Sequence, residues 1–250
     1  MSTGAFLIAR LGSTRLPRKN ILPIMGKPMI QLLAERVGRA KAVDKVVIAT
    51  STQASDDALE ELADEIGVGC HRGPLDNVME RITGAATAYN CDNIIEILGD
   101  NPLVHGALID DVCRLYKEGG YDYAANITRE YEPSCENRKL FSVGLRVQVY
   151  TLAAARAYID YPKYPDNDRH PCAYIFDHPD RFKVGYLEAV GRWGFMNRPD
   201  INFAVNYGKN FEFVEKVFQR HYAADPDFPL QAIYQQMDEE PELFNLLGAD

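Results

Sequence analysis

Apolar positions fall in two rhythms along the first hundred residues. Ala5 to Ala9 is a short apolar run that ends in a loop rich in Gly, Ser, Arg and Pro, which predicts a buried strand feeding a loop. Pro28 then opens a stretch with Met29, Leu33, Val37 and Ala40 at helical spacing, suiting a proline at the first helical position. Lys45 to Thr50 predicts the next strand. Ser55 and Asp56 can cap a helix carrying Leu59, Leu62, Ala63 and Ile66, with Gly67 placed to end it. Val68 to Cys70 reads as a third strand, Asp76 begins a helix with Val78, Met79, Ile82, Ala85 and Ala86 on one side, and Ile94 to Leu98 is a fourth strand before Gly99-Asp100. Such alternation predicts an α/β fold: a mainly parallel sheet with helices on both faces and a ligand site beyond the carboxyl ends of the strands.

The rhythm changes near Gly120. Tyr121 to Ile127 and Val143 to Tyr150 read as strands, Glu130 to Lys139 is polar and irregular, and Tyr158 to Asp168 is dense in Tyr, Pro and Asp. We read 121–180 as an insertion within a single domain spanning 1–250, available for substrate or subunit contacts. Lys183 to Ala189 and Asn202 to Val205 predict further strands, Phe211 to His221 an amphipathic helix, and Leu230 to Leu247 a helical end.

Composition narrows the partners. With 46% hydrophobic and 25% charged residues, the 250-residue chain can bury a sizeable core. A formal charge of −9 argues against a nucleic-acid partner, because no broad basic surface is left for counterion release. No window approaches the ~20 apolar residues of a membrane span, and the first ten residues are too short an apolar run for a signal peptide, so a cytoplasmic protein is expected. Cys70, Cys91, Cys113, Cys135 and Cys172 lack metal-ligand spacing and read as reduced thiols.

The segment Arg10-Leu11-Gly12-Ser13-Thr14-Arg15-Leu16-Pro17-Arg18-Lys19 carries the first sign of chemistry. A nucleoside triphosphate needs backbone N–H groups left accessible by small residues, and cations to wrap its oxygens. Gly12 and Ser13 can supply the first, Arg10, Arg15 and Lys19 the second. Neither G-x-x-x-x-G-K-[ST] nor G-x-G-x-x-G is present, and a basic loop after a strand is by itself also a solvated turn.

Resemblance decides between these. Ile8 to Lys19 followed by Gly26-Lys27-Pro28, then Lys45 to Thr50, His71-Arg72-Gly73, Asp76 to Arg81, Gly99-Asp100-Asn101-Pro102-Leu103, His170 with Tyr174-Ile175, and Arg198-Pro199-Asp200 resemble the motifs of cytidylyltransferases of the spore coat polysaccharide biosynthesis protein F group. The wider family includes the enzymes that make CMP-sialic acid and CMP-KDO. The resemblance implies a Rossmann-like sheet of the nucleotide-diphospho-sugar transferase type, transfer of CMP from CTP to a small acidic acceptor, a Mg²⁺ cofactor and a homodimer. It implies that Arg15 and Lys19 hold the triphosphate and stabilise charge on the departing pyrophosphate, that Arg10, Gly12 and Ser13 form the cradle, and that Asp100 binds Mg²⁺. Arg72 and Arg81 would lie near the cytidine or ribose, or else form surface ion pairs. Arg146, Gln148 and His170 would face the acceptor.

Three departures from the family pattern stand out, two in the acceptor half and one near the base. Where relatives carry Val-Asp-x-Pro-Glu-Asp, this chain has Val205-Asn206-Tyr207-Gly208-Lys209-Asn210, so a neutral Asn206 stands at the second metal position, with Asp200 as an alternative. Where relatives carry Gly-Leu-Asp-Val-Glu-Val, it has Gly144-Leu145-Arg146-Val147-Gln148-Val149. Arginine only donates, so the acceptor is expected to carry an anion there, unless Arg146 pairs with a neighbouring carboxylate. Glu96-Ile97-Leu98 replaces an expected Arg or Gln near the base. Two other readings remain at this point: a nucleotide-sugar-dependent glycosyltransferase, whose Asp-x-Asp motif occurs only as Asp166-Asn167-Asp168 in a Tyr- and Pro-rich loop, and a catalytically weak nucleotide-binding protein.

Overall fold

The computed structural model describes residues 1–130, 137–159 and 172–247. The first half alternates as the apolar rhythm predicts: β1 (Thr3–Ile8), a two-residue ribbon of β2 (Pro23–Ile24) and β3 (Lys27–Pro28), α1 (Met29–Val37), β4 (Lys45–Ser51), α2 (Asp57–Ile66), β5 (Gly69–Gly73), α3 (Val78–Ala88), β6 (Asn93–Leu98) and α4 (Gly106–Gly119). β7 (Tyr123–Asn126), β8 (Gln148–Thr151), α5 (Leu152–Ile159), α6 (Ala173–Phe176), β9 (Val184–Leu187), α7 (Gly208–His221) and α8 (Leu230–Glu239) follow.

The seven sheet strands lie in the order β5-β4-β1-β6-β8-β7-β9. β8 runs antiparallel to both neighbours, and the other pairings are parallel. This mostly parallel sheet with helices on both faces matches the nucleotide-diphospho-sugar transferase fold. Successive strand residues point to opposite faces, so both layers are fed by the same short apolar runs. Leu7, Ile48, Ile95, Ile97 and Val149 pack with α1, α2, α4, α7 and α8; Phe6, Val47, Ala49, Ile94 and Tyr150 pack with α3, α5 and α6.

Differences from the sequence reading have local causes. Pro28 pairs with Pro23 in the ribbon and stands just before α1 rather than inside its first turn. Asp56 makes no side-chain cap on α2, because its carboxylate turns to the sheet. Gly67 does end that helix, at φ 72°. The run Val143 to Tyr150 forms strand only from Gln148, since Asn126 takes its earlier backbone groups: Nδ2 donates to the Leu145 carbonyl at 3.1 Å, and Oδ1 accepts from Val147 N–H at 2.7 Å. Asn202 to Val205 makes a single bridge, Asn202 with Val143, not a strand. Gly144, at φ +83°, explains the break: an added Cβ would lie 2.3 Å from the Ala204 nitrogen, so only glycine lets the two backbones pass.

The change of rhythm near Gly120 also has a structural meaning. The described residues of 121–180 supply β7, β8, α5 and α6, which belong to the main sheet and its covering layer. The antiparallel β8 interrupts the strand–helix alternation there.

Candidate active site

β1 and β6 are neighbours at the middle of the sheet, with Ile8 opposite Leu98, so the loops that follow them meet. Gly99 N–H donates to the Ile8 carbonyl at 2.8 Å. A Cβ on Gly99 would lie 2.9 Å from that oxygen, which keeps this crossing free of side chains.

The loop after β1 is fixed at its base. Ala9 N–H reaches the Ala49 carbonyl, Leu11 N–H donates to Asp56 Oδ1 at 2.7 Å, and Arg18 N–H returns to the Leu11 carbonyl at 3.2 Å. Asn20 Nδ2 donates to the Arg10 carbonyl at 3.0 Å. Arg18 adopts the left-handed conformation, φ 57°, to make the turn. Between these ties the chain overhangs a cavity of about 480 Å³. Arg10, Gly12, Ser13, Thr14, Arg15, Lys19 and Asn20 line it from the loop; Leu75, Asp76, Val78 and Arg81 from the start of α3; Leu98 and Asp100 from the end of β6. Gly12 meets nothing within 4 Å of an added Cβ, so its backbone stays open to a ligand.

Charge in the cavity is arranged for an anion. Arg81 is 2% exposed, and its Nη1 donates to the Pro74 and Leu75 carbonyls at 2.7 and 3.2 Å while Nε has no hydrogen-bond partner among the described residues. Burial and then the nearby Arg10 charge push its pKa below the usual arginine value, with Asp56 and Glu96 opposing. Two cations held together at a pocket wall are stabilised by any anion that enters between them. Arg15 lies over the Tyr207 ring, 5.6 Å from its centroid, joining the loop to the start of α7.

Lys19 is 8% exposed and reaches across the loop. Its Nζ donates to Asp100 Oδ2 and to the Val205 carbonyl, both at 2.7 Å. Val205 N–H in turn donates to the Asp100 carbonyl at 2.9 Å, so Asn206 follows a residue bonded to both members of the ion pair. Asp100 Oδ1 is buried without a hydrogen-bond partner among the described residues. That oxygen is a hard donor of the type Mg²⁺ takes, and no group of three His, Cys, Asp or Glu residues able to hold a metal exists among the described residues. The site therefore fits an ion that keeps waters and shares phosphate oxygens, not one enclosed by protein. Asp200 is occupied elsewhere, in an ion pair with Arg198 at 2.8 Å.

Other predicted residues are not brought to the cavity. Arg72 spends its guanidinium on Asp57 and Glu60 of α2, at 2.7 and 2.9 Å, and on the Ser51 and Gln53 carbonyls, the surface ion-pair arrangement. Arg146 is 2% exposed and donates to Thr128 Oγ1, Tyr123 Oη and Gln148 Oε1 at 3.2, 2.8 and 3.3 Å. Arg146 and Gln148 thus sit in a buried polar network beside β8, not in the cavity wall. Glu96 lies on the same sheet face, accepting from Tyr150 Oη at 2.6 Å and Cys172 Sγ at 3.1 Å, and is not among the residues of the cavity wall. Burial first, with Cys172 and Glu96 adding for Tyr150 and Glu96 for Cys172, raises both pKa values far above their usual range. His170 and the Asp166-Asn167-Asp168 triplet lie outside the described residues.

The sequence reading did not single out Asn20 and Asp56 as site residues. Asn20 could be found only as the neighbour of Lys19, and Asp56 was masked by its resemblance to a helix cap. No helix among the described residues is long and apolar enough to cross a membrane.

Comparison with known proteins identifies the family. The chain is 26% identical over 246 residues to the spore coat polysaccharide biosynthesis protein SpsF of Bacillus subtilis, covering 97% of this chain and 96% of that protein. It is 28% identical over 233 residues to a 3-deoxy-manno-octulosonate cytidylyltransferase of Hydrogenovibrio crunogenus, covering 86% and 90%. The solved structure of a cytidylyltransferase from Leptospira borgpetersenii shares the fold with a TM-score of 0.84 at 23% identity, over 100% of this chain and 99% of that one. The cytidylyltransferase family model matches residues 5–237, nearly the whole sheet and every residue of the cavity wall, and the chain belongs to the cytidylyltransferase family, as a CTP-dependent nucleotidyltransferase.

Proposed function

We propose that the enzyme transfers CMP from CTP to a small acidic acceptor, a sugar acid, phosphate or phosphonate, with release of pyrophosphate. The observation that carries this reading is the cavity at the meeting of the β1 and β6 loops, which gathers Arg10, Arg15, Lys19 and Arg81 together with Asp100. In it the triphosphate lies under Gly12 and Ser13, with Arg10 and Arg81 on one side and Arg15 and Lys19 on the other. Leu75, Asp76 and Val78 are left for the nucleoside end. Arg15 and Lys19 neutralise the charge that develops on the departing pyrophosphate.

Bound Mg²⁺ would be held by Asp100, with Asn206 as a neutral second ligand, and would supply further charge neutralisation at the phosphates. Lys19 already holds Asp100 in place before any ligand arrives. The buried cation of Arg146 contributes positive potential on the acceptor side. An acceptor that attacks through a phosphate or phosphonate oxygen needs no protein base, so its positioning and charge neutralisation dominate. A cytoplasmic homodimer is part of this proposal, supported by the family resemblance.

The test is pyrophosphate release with CTP, Mg²⁺ and a panel of neutral and anionic sugars, phosphates and phosphonates. Release that requires CTP together with an anionic acceptor is expected. CTP binding without turnover across the panel would instead mark a nucleotide-binding protein.

A further inference from the structure

Asp56 looks like a helix cap in the sequence but makes no cap. It is 1% exposed and lies at the end of a short 3-10 turn, Ala54–Asp56. Both carboxylate oxygens are used. Oδ1 accepts from Leu11 N–H at 2.7 Å, and Oδ2 accepts from the hydroxyl of Ser51, the last residue of β4.

The position of Leu11 makes that bond consequential. The parallel ladder between β1 and β4 gives out at Ala9, whose N–H reaches the Ala49 carbonyl. Two residues later Asp56 takes over as acceptor, and Leu11 also receives the N–H of Arg18 on its carbonyl. Leu11 is therefore the closing residue of a ring of chain, Gly12 to Pro17, of which Gly12 to Arg15 line the cavity. Without Asp56 the ring would hang from Ala9 alone on the β4 side.

We propose that Asp56 is a positioning residue for the triphosphate loop: it preorganises the loop through Leu11 N–H, touching no ligand itself. This rests on the reading of the loop as the triphosphate site. Ordering a loop before the ligand arrives removes that cost from binding, so the effect belongs in CTP affinity and not in the rate of the bound complex.

The chemistry of the two oxygens selects the variants. Asp56→Ala leaves Leu11 N–H and the Ser51 hydroxyl without acceptors. Asp56→Asn keeps a carbonyl oxygen for Leu11, and its Nδ2 can donate to the Ser51 oxygen. Asp56→Ala is expected to raise KM for CTP and the Kd of CTP about ten-fold or more, with kcat changed little, a size set by loss of one hydrogen bond to a charged group. Asp56→Asn is expected to restore both to within about three-fold of native, less than half a factor-of-ten step in free energy. Amide exchange on the native protein supplies a measurement that needs no variant: Leu11 N–H should be protected before CTP is added.

An Asp56→Ala protein that is folded and binds CTP as well as native would overturn the inference, as would equal impairment in Asp56→Asn, or a Leu11 amide that exchanges freely until CTP arrives. Arg15→Ala and Lys19→Ala serve as controls. If they leave CTP affinity intact, the loop reading fails and the inference falls with it; if they weaken CTP while Asp56→Ala does not, the inference alone fails.

Discussion

At the scale of single residues, the cavity concentrates four cations, Arg10, Arg15, Lys19 and Arg81, in one wall. Arg81 and Arg10 repel each other across the wall, Arg15 is held over Tyr207, and Lys19 is held by Asp100 and Val205. Arg146 belongs to a different setting, spending its fork on Thr128, Tyr123 and Gln148. If it nonetheless supplies the field that holds an anionic acceptor, Arg146→Gln should raise the acceptor's KM about ten-fold while leaving the KM of CTP within about two-fold, because glutamine removes the charge and keeps hydrogen-bonding groups. Steady-state kinetics with each substrate varied checks this. Equal losses for both substrates would show that Arg146 only supports the fold. The loop cations were legible in the sequence because they cluster within ten positions after a strand. Asp56 and Asn20 were not, since what matters is a bond to a loop 45 positions away for one and a backbone carbonyl for the other.

At the scale of elements, the first half of the sheet was readable because β1, β6 and most of β4 are buried on both faces and each helix shows one apolar side. Boundaries failed where side chains or glycines replace backbone pairing. Asn126 imitates a strand partner for Leu145 and Val147, so a β-rich sequence there does not become strand. Periodicity carries no trace of such a substitution. Gly144 allows the chain of Phe203 and Ala204 to pass against it, which places Val205 beside Lys19 and Asp100. Gly144→Ala would force a Cβ into that backbone at a positive φ and should destabilise the protein by about 2 kcal/mol or more. A urea midpoint shifted by less than the equivalent of about 0.5 kcal/mol, the range of ordinary surface substitutions, would contradict the packing described.

At the scale of the whole molecule, topology explains why distant motifs work together. The order β5-β4-β1-β6 puts the β1 and β6 loops side by side at the sheet's middle, so residues about ninety apart share one cavity. That meeting could be expected from strand–helix alternation and the resemblance of separated motifs, whereas the antiparallel β8 could not, because strand direction leaves no mark on a short apolar run. The fold also sets a pH response. His71, His105 and His221 all have pKa values below the ordinary 6.5, chiefly from burial, with Arg81, Arg36 and Arg220 respectively adding to it. Above pH 6.5 these groups are neutral in both states and their contribution is fully present. As pH falls below 6.5 the unfolded chain takes up protons first, so stability is lost progressively down to the folded pKa values. Thermal unfolding should show Tm falling from pH 7 toward pH 5, and a Tm that rises over that interval would contradict this assignment.

If the loop from Arg10 to Lys19 binds the triphosphate of CTP, calorimetric titration of CTP in Mg²⁺ into the native enzyme and its Arg15→Ala and Lys19→Ala variants will show it. Native protein should bind at one site, and each folded variant should bind about ten-fold or more weakly, the cost of losing one charge-assisted contact to phosphate. Undiminished affinity in both variants would mean that the loop does not hold the triphosphate.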